Sequence, residues 1–235
     1  SDTGVTNLGK LNKTFASMQE VGMVLQIHGE VTDKNIDIFD REAVFIETIL
    51  KPLVEKFPTL KVSLEHITTE ESVTFVTKDS DSVHASITPQ HLLYNRNDML
   101  VSGIRPHLFC LPILKRERHQ QALLEAATSG NKKLYLGTDS APHARDQKEN
   151  CCGCAGCYSH LSAIELYAEV FDQFNALDKL EGFASMHGPD FYGLPYNDSF
   201  ISLKRQKWKI PSSIKYLNTE LIPLGANSEL NWKLI

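Results

Sequence analysis

The sequence predicts an α/β protein built from parallel βαβ units, and three observations carry that reading. Short apolar runs alternate with segments whose apolar residues recur at helical spacing. The runs end near residues 28, 66, 88 and 139, about 37 residues apart on average, comparable with the roughly 30 per unit expected when about 250 residues make eight. No Gly-rich dinucleotide fingerprint follows any of them. Four units cannot close a (β/α)8 barrel, whereas an open doubly wound sheet can stand with four. Periodicity alone leaves both architectures open.

The elements follow in order. Leu11, Phe15 and Met18 mark a first helix, and Gly22 stands where a C′ glycine would end it. Met23 to Ile27 reads as a strand buried on both faces, ending in His28-Gly29-Glu30. A helix from about Asp40 to Phe57 follows, with Phe45, Ile46, Ile49, Leu50 and Leu53 inward and Pro52 as a kink. Lys61 to Leu64 is the second strand, ending in Glu65-His66. Thr68-Thr69-Glu70-Glu71 has the Thr-x-x-Glu form of a capping box, opening a helix to about Thr77. Val83 to Thr88 is the third strand. The long stretch from Pro89 to Pro112 reads as loop. Glu117 to Ser129 is an amphipathic helix closed by Gly130, and Lys133 to Gly137 is the fourth strand, running into Thr138-Asp139-Ser140. After a Cys/Gly loop, Ser162 to Phe174 and Leu177 to Met186 are helical. The remainder is a Pro- and Asn-punctuated tail.

Composition excludes several function classes. The 235 residues carry 24 Lys+Arg against 29 Asp+Glu, a formal charge of −5, and 42% are hydrophobic. Nothing approaches the roughly 18 to 20 unbroken apolar residues of a membrane span. The mild acidity offers no basic footprint for nucleic acid, so the expected ligand is a small molecule. Four of the five cysteines crowd into Cys151, Cys152, Cys154 and Cys157, a poor disulfide framework for a chain of this length and a sign of a reducing compartment. The start, Ser1-Asp2-Thr3-Gly4, shows no initiator Met, basic leader or apolar signal core. Processing or truncation is the expectation.

Three of the four strands end in residues able to bind metal: His28, His66 and Asp139. In parallel α/β folds the C-terminal strand ends share one face, so these side chains would converge. Imidazole and carboxylate suit Zn²⁺ in a three-ligand site with an open position for water. A single histidine at a strand end is more often a satisfied polar residue than a ligand; three on one face change the balance. His84, His119, His160 and His187 read as structural or exposed, while His91 and His107, in the long loop, and His143, four residues after Asp139, could face either way. Four thiols within seven residues cannot easily surround one tetrahedral ion, and the second pair of a zinc ribbon is missing. The Cys151–Cys157 segment therefore reads as a tight, Gly-dependent loop with free thiols.

These motifs together are specific enough to name a family. The sequence resembles the dihydroorotases found as separate enzymes in bacteria and plants, members of the amidohydrolase superfamily of metal-dependent (β/α)8 barrels. The resemblance runs from about Val5 to Asn197. It is most specific at His28-Gly-Glu-Val-Thr32, Asp37-Ile-Phe-Asp-Arg-Glu-Ala43, Glu65-His-Ile-Thr-Thr69, Arg105-Pro-His-Leu108, Leu111-Pro-Ile-Leu-Lys115, Gly137-Thr-Asp-Ser-Ala-Pro-His-Ala-Arg145 and Cys152-Gly-Cys-Ala-Gly-Cys157.

The resemblance implies a TIM-type barrel present only in its second half, residues 1–195, followed by a C-terminal extension, residues 196–235. It implies that His28 and His66 hold one of two zinc ions, and that Asp139 binds the other and shuttles a proton. His143, with the backbone of Leu111 and Ala155, would hold the substrate. The implied reaction is the reversible interconversion of N-carbamoyl-L-aspartate and L-dihydroorotate in pyrimidine (UMP) biosynthesis. In the hydrolytic direction a zinc-activated hydroxide attacks a ring carbonyl, and Asp139 passes its proton to the leaving nitrogen. The family's His-x-His pair, its bridging carbamylated Lys, and its substrate Arg and Asn are absent from this sequence, on the order of a hundred residues short of a whole barrel. Half of the ligand set remains, so the expectation is weak zinc binding and little activity for the chain alone. Further expectations are a possible homodimer, no membrane or nucleic-acid partner, and a cytoplasmic location, or a mitochondrial or plastid one if the source is a plant. Two competing readings are a non-catalytic remnant acting as partner or scaffold, and an adenosine-deaminase-like enzyme using His28-Gly29-Glu30. The second is disfavoured because Ser140, not a carboxylate, follows Asp139.

Overall fold

A computed structural model describes residues 4–235. Four parallel strands, β1 (Leu25–His28), β2 (Val62–Glu65), β3 (Val83–Ile87) and β4 (Leu134–Leu136), form one sheet in the order β1-β2-β3-β4. Each strand adds beside its predecessor on the same side. A doubly wound sheet would reverse direction at a switch point, and this one does not.

Strand alternation sorts the residues onto two faces. Ile27, Val62, Leu64, Val83, Ala85, Ile87 and Leu134 lie in the core, in matched register across the sheet. They pack beneath the helices together with Phe45, Leu50, Phe75, Leu123 and Phe171. The opposite face carries Gln26, Ser63, Glu65, His84, Ser86 and Tyr135, a polar row. Ser63 bonds both Glu65 and Tyr135, and Ser86 Oγ donates to Glu65 Oε2 at 2.9 Å. Gln26 Nε2 donates to Tyr192 OH at 2.9 Å. The short helix His187–Tyr192 lies over this row, stacking Phe191 on His84 with ring centroids 4.2 Å apart.

Several expectations need correction. β1 lies at the sheet edge, and Gln26 and His28 are exposed, so it is not buried on both faces. The helix of residues 41–56 contains a π-helical stretch, Ile46–Leu50, directly before Pro52, which sits in the first turn of the following α-helical part. The cap of the helix Glu70–Thr74 is Thr69, which accepts from Ser72 N; Thr68 turns its hydroxyl to Glu42 instead. The expected loop after β3 contains two helical turns, Pro89–Leu93 and Arg96–Leu100, capped by Thr88 and by a full capping box at Asn95 and Asp98. Residues 196–235 carry two antiparallel pairs, β5 (Leu203–Lys209) with β8 (Glu229–Leu234) and β6 (Ile214–Tyr216) with β7 (Thr219–Leu221). The β5 and β8 pair docks on the helix Ala163–Gln173, where Glu169 accepts from Trp232 N and Asp172 pairs with Arg205. A second apolar cluster, including Met99, Cys110, Leu114, Ile210 and Leu224, joins these hairpins to the segment after β3.

The turn after β2 is organised by a buried carboxylate. Glu42 is 2% exposed and accepts from the backbone N–H groups of Thr68 and Thr69 and from the hydroxyls of Thr68, Thr69 and Ser72. Burial alone would raise its pKa, yet Lys115 and these donors outweigh that and hold it low. Its stabilising effect is thus present above the ordinary carboxylate range and lost as pH falls through the folded pKa. Glu42→Ala strands several buried donors and is expected to cost at least about 2 kcal/mol in urea unfolding at pH 7. A loss under about 0.5 kcal/mol would show that the donors find other partners.

Candidate active site

The C-terminal ends of the strands bring two of the expected residues into direct contact. His28, the last residue of β1, and His66, just after β2, approach with Nδ1 and Nε2 3.2 Å apart. Two nitrogens each about 2.05 Å from one tetrahedral ion would be separated by roughly 3.3 Å, so this spacing fits a shared metal. The tautomer fits as well. His28 Nε2 lies 3.0 Å from Glu30 Oε2, so a metal-bound His28 would carry its proton on Nε2 and offer Nδ1 to the ion. Lys115 Nζ lies 3.6 Å from Glu30 Oε1, on the far side of that carboxylate from His28. His66 Nδ1 is buried without a partner among the described residues, and burial followed by the His28 charge lowers the His66 pKa to about 4. It is a neutral imidazole at pH 7.

Backbone conformation turns the side chains at two strand ends. His66 has φ 43° and Asp139 φ 42°, left-handed values that non-glycine residues adopt at a cost and that concentrate at functional sites. The His66 turn is pinned by its N–H donating to Ser86 Oγ at 2.8 Å. Gly137, just before the Asp139 turn, has no room for a side chain, because an added Cβ would lie 2.6 Å from Ser86 Cβ. Asp139 is exposed; partial desolvation still raises its pKa and the His28 charge opposes the rise. Among the described residues no group of three or more His, Cys, Asp or Glu side chains is arranged to hold a metal. The structure therefore joins His28 with His66 and leaves Asp139 outside that pair.

The residues expected at the substrate side meet in a second cluster. His143 Nε2 donates to Ala155 O at 3.0 Å. The Ala155 loop is tied to the segment preceding Leu111 by Gly156 N–H donating to Phe109 O at 2.9 Å. The N–H groups of Leu111 and Ala155 have no partner among the described residues. Gly156 has φ 143°, and a Cβ there would meet Ala141 O at 2.7 Å, which explains its place in the loop. All five cysteines are free.

Sequence reasoning gave Glu30 only a minor role and missed Glu42 and Lys148, the last two being buried charges whose partners lie far along the chain. Glu42 lies within the Asp37–Ala43 motif but was given no role, and Lys148 was not singled out. The other histidines are structural here: His84 stacks on Phe191, His187 Nδ1 donates to Leu134 O, and His107 pairs with Glu149.

No model of a known protein family matches the chain. Curated relatives do. The dihydroorotases of Acaryochloris marina and Shewanella oneidensis are each 60% identical to it, over the whole chain and 68% of each relative. Among solved structures, the dihydroorotase of Campylobacter jejuni superposes with a TM-score of 0.89 at 31% identity, covering all of this chain and 68% of that one. The Saccharomyces cerevisiae dihydroorotase in complex with 5-fluoroorotic acid gives 0.90 at 33% identity, covering 70% of that chain. A Thermus D-hydantoinase at 16% identity and TM-score 0.79 shares the fold.

Parallel strands in barrel order, with imidazoles meeting above their C-terminal ends, define an amidohydrolase of the (β/α)8 type and exclude the doubly wound sheet. The chain belongs to the dihydroorotase family, hydrolases of cyclic amides in pyrimidine biosynthesis, and spans about two thirds of its relatives' length.

The segment bearing Leu111 hangs on a buried histidine. His91 Nε2 donates to Pro112 O at 2.9 Å, and its Nδ1 accepts from Thr88 Oγ1. Burial lowers the His91 pKa from 6.5 to about 3. The unfolded chain takes up this proton near 6.5 and the folded one only near 3, so stability is full above that window and declines as pH falls through it. Urea midpoints are expected to drop between pH 7 and pH 5, with a shallower drop in His91→Gln. Equal slopes for both proteins would refute this assignment.

Proposed function

We propose that this segment carries the metal-holding and substrate-holding half of a zinc-dependent dihydroorotase acting on L-dihydroorotate and N-carbamoyl-L-aspartate. The supporting observation is the 3.2 Å approach of His28 Nδ1 and His66 Nε2, with Glu30 beside His28 Nε2. His28 and His66 would hold one zinc ion and Asp139 would face a second. Zinc, when bound, supplies Lewis-acid polarisation and an activated water. The chain's own groups do the rest. Asp139 accepts the proton of the attacking water and returns it to the leaving ring nitrogen. The free N–H groups of Leu111 and Ala155, with His143, hold the substrate carboxylate and ring amide, a donor set suited to an anionic ligand. The 5-fluoroorotic acid in the yeast relative's structure has this chemistry: a pyrimidine ring bearing a carboxylate.

Within this reading, residues 1–195 form the barrel portion and residues 196–235 an extension docked on the helix Ala163–Gln173. Two imidazoles and one carboxylate fall short of a two-ion shell. We infer that these 235 residues alone bind zinc weakly and turn over little substrate, and that strands completing the barrel restore both. A second reading, a non-catalytic partner or scaffold, is favoured by the lack of a three-ligand group among the described residues.

The test compares the chain alone, the chain mixed with a polypeptide supplying the remaining strands, and the whole protein containing this segment. About two zincs per chain and dihydroorotate hydrolysis are expected in the second and third cases, with His28→Ala abolishing both and His143→Ala raising KM about tenfold. Robust turnover by the chain alone would overturn the incompleteness. A whole protein without zinc or turnover would favour the scaffold reading.

A further inference from the structure

Lys148 is a buried cation that the reaction outlined above leaves without a role. It is 2% exposed, and its Nζ donates to three backbone carbonyls: Phe109 O at 2.8 Å, Cys154 O at 2.6 Å and Gly156 O at 2.8 Å. All three ammonium N–H bonds are used. Burial lowers its pKa, and no carboxylate is among the groups that oppose this. A buried charge held only by dipoles is expensive, and a Met would fill the same space without that cost. Placement here calls for a reason beyond packing.

The geometry points to one. We infer that Lys148 is a positioning residue that aims the Ala155 N–H, and with it the Leu111 segment, at the anionic end of the substrate. A trans peptide is planar, with its C=O and N–H directed oppositely. The Cys154 carbonyl and the Ala155 N–H belong to one peptide, so the ammonium that grips the first turns the second away from itself. The Gly156 carbonyl, on the other side of Ala155, is gripped as well. Phe109 O receives both Lys148 Nζ and Gly156 N–H, which locks the Ala155 loop to the strand of chain leading to Leu111. The Ala155 carbonyl is taken by His143. Every polar backbone group of this turn is thereby fixed except the Ala155 N–H, the donor left free for a ligand. A charged donor on the carbonyl also polarises the peptide and strengthens that N–H.

This rests on the assignment of Ala155, Leu111 and His143 to substrate binding, and the test separates the two. In the zinc-loaded whole protein, Lys148→Met is expected to raise the KM for L-dihydroorotate and the Kd for 5-fluoroorotate by at least about tenfold, with kcat changed less than about threefold. In the ligand-free protein, the ¹⁵N resonance of Ala155 shifts upfield and its amide exchanges faster, an effect independent of turnover. If His143→Ala leaves KM unchanged, the substrate-site assignment fails. If His143→Ala raises KM while a folded Lys148→Met changes neither KM nor the Ala155 amide, the inference alone fails. Lys148→Gln is read in the same way where Lys148→Met does not fold, and failure of both to fold would assign Lys148 to folding and overturn the proposal.

Discussion

The register between β1 and β2 is the constraint on which the site depends. His28 stands opposite Glu65 in that pairing, and His66 follows at once. Shifting β1 by one residue would carry Gln26 and His28 to the helix-covered face and Leu25 and Ile27 to the polar one. The core residues Ile27, Leu64 and Val62 forbid that slip, because burying Gln26 among them would strand an amide in hydrocarbon. Apolar packing on one side of the sheet thus fixes which strand ends bring the two imidazoles together on the other. The final adjustment is local. His66 enters the left-handed region, and Ser86 and Glu65 hold it there through the chain His66 N–H to Ser86 Oγ to Glu65.

Two buried charges of opposite sign stabilise the loops around this centre in the same manner. Glu42 gathers N–H and O–H donors around the turn after His66, and Lys148 gathers carbonyls around the turn containing Ala155. Neither is held by a close ion pair of its own, so each must be met by several oriented dipoles. A carboxylate can accept from about four directions and an ammonium can donate in three, which makes each an effective knot for irregular backbone that no strand or helix would hold. The difference lies in what the knot leaves over. Around Glu42 the donors of Thr68 and Thr69 are consumed; around Lys148 one peptide N–H stays unused, beside a histidine.

The parallel sheet was legible because its strands are short apolar runs bounded by polar and glycine residues, and three of their ends were legible because His28, His66 and Asp139 interrupt those runs. The stretch after β3 was misread because its helical turns are only five residues long, too short for periodicity; the signal lay in the caps, Thr88 before Pro89 and Asn95 three residues before Asp98. The C-terminal strands were invisible for the opposite reason. β5 reads Leu-Lys-Arg-Gln-Lys-Trp-Lys and exposes most of its side chains, so its pairing is encoded by partners elsewhere, Glu229 to Leu234 and the carboxylates Glu169 and Asp172, rather than by alternation. Glu42 and Lys148 were missed for the same cause: a charge on a helix looks like surface until distant backbone groups surround it.

The outer strands connect metal binding to folding. β1 and β4 bound the sheet among the described residues, and a strand edge presents unpaired N–H and C=O groups that seek a partner. His28 sits on β1, with its side chain about half exposed. Any strand that pairs with β1 in parallel register delivers its own C-terminal end beside His28, on the rim where the metal would sit. With zinc at the proposed site, completing the hydrogen-bond ladder and completing the ligand shell would be one structural event. An ion gaining donors from such a strand would also hold it in register, because coordination distances tolerate only a few tenths of an ångström.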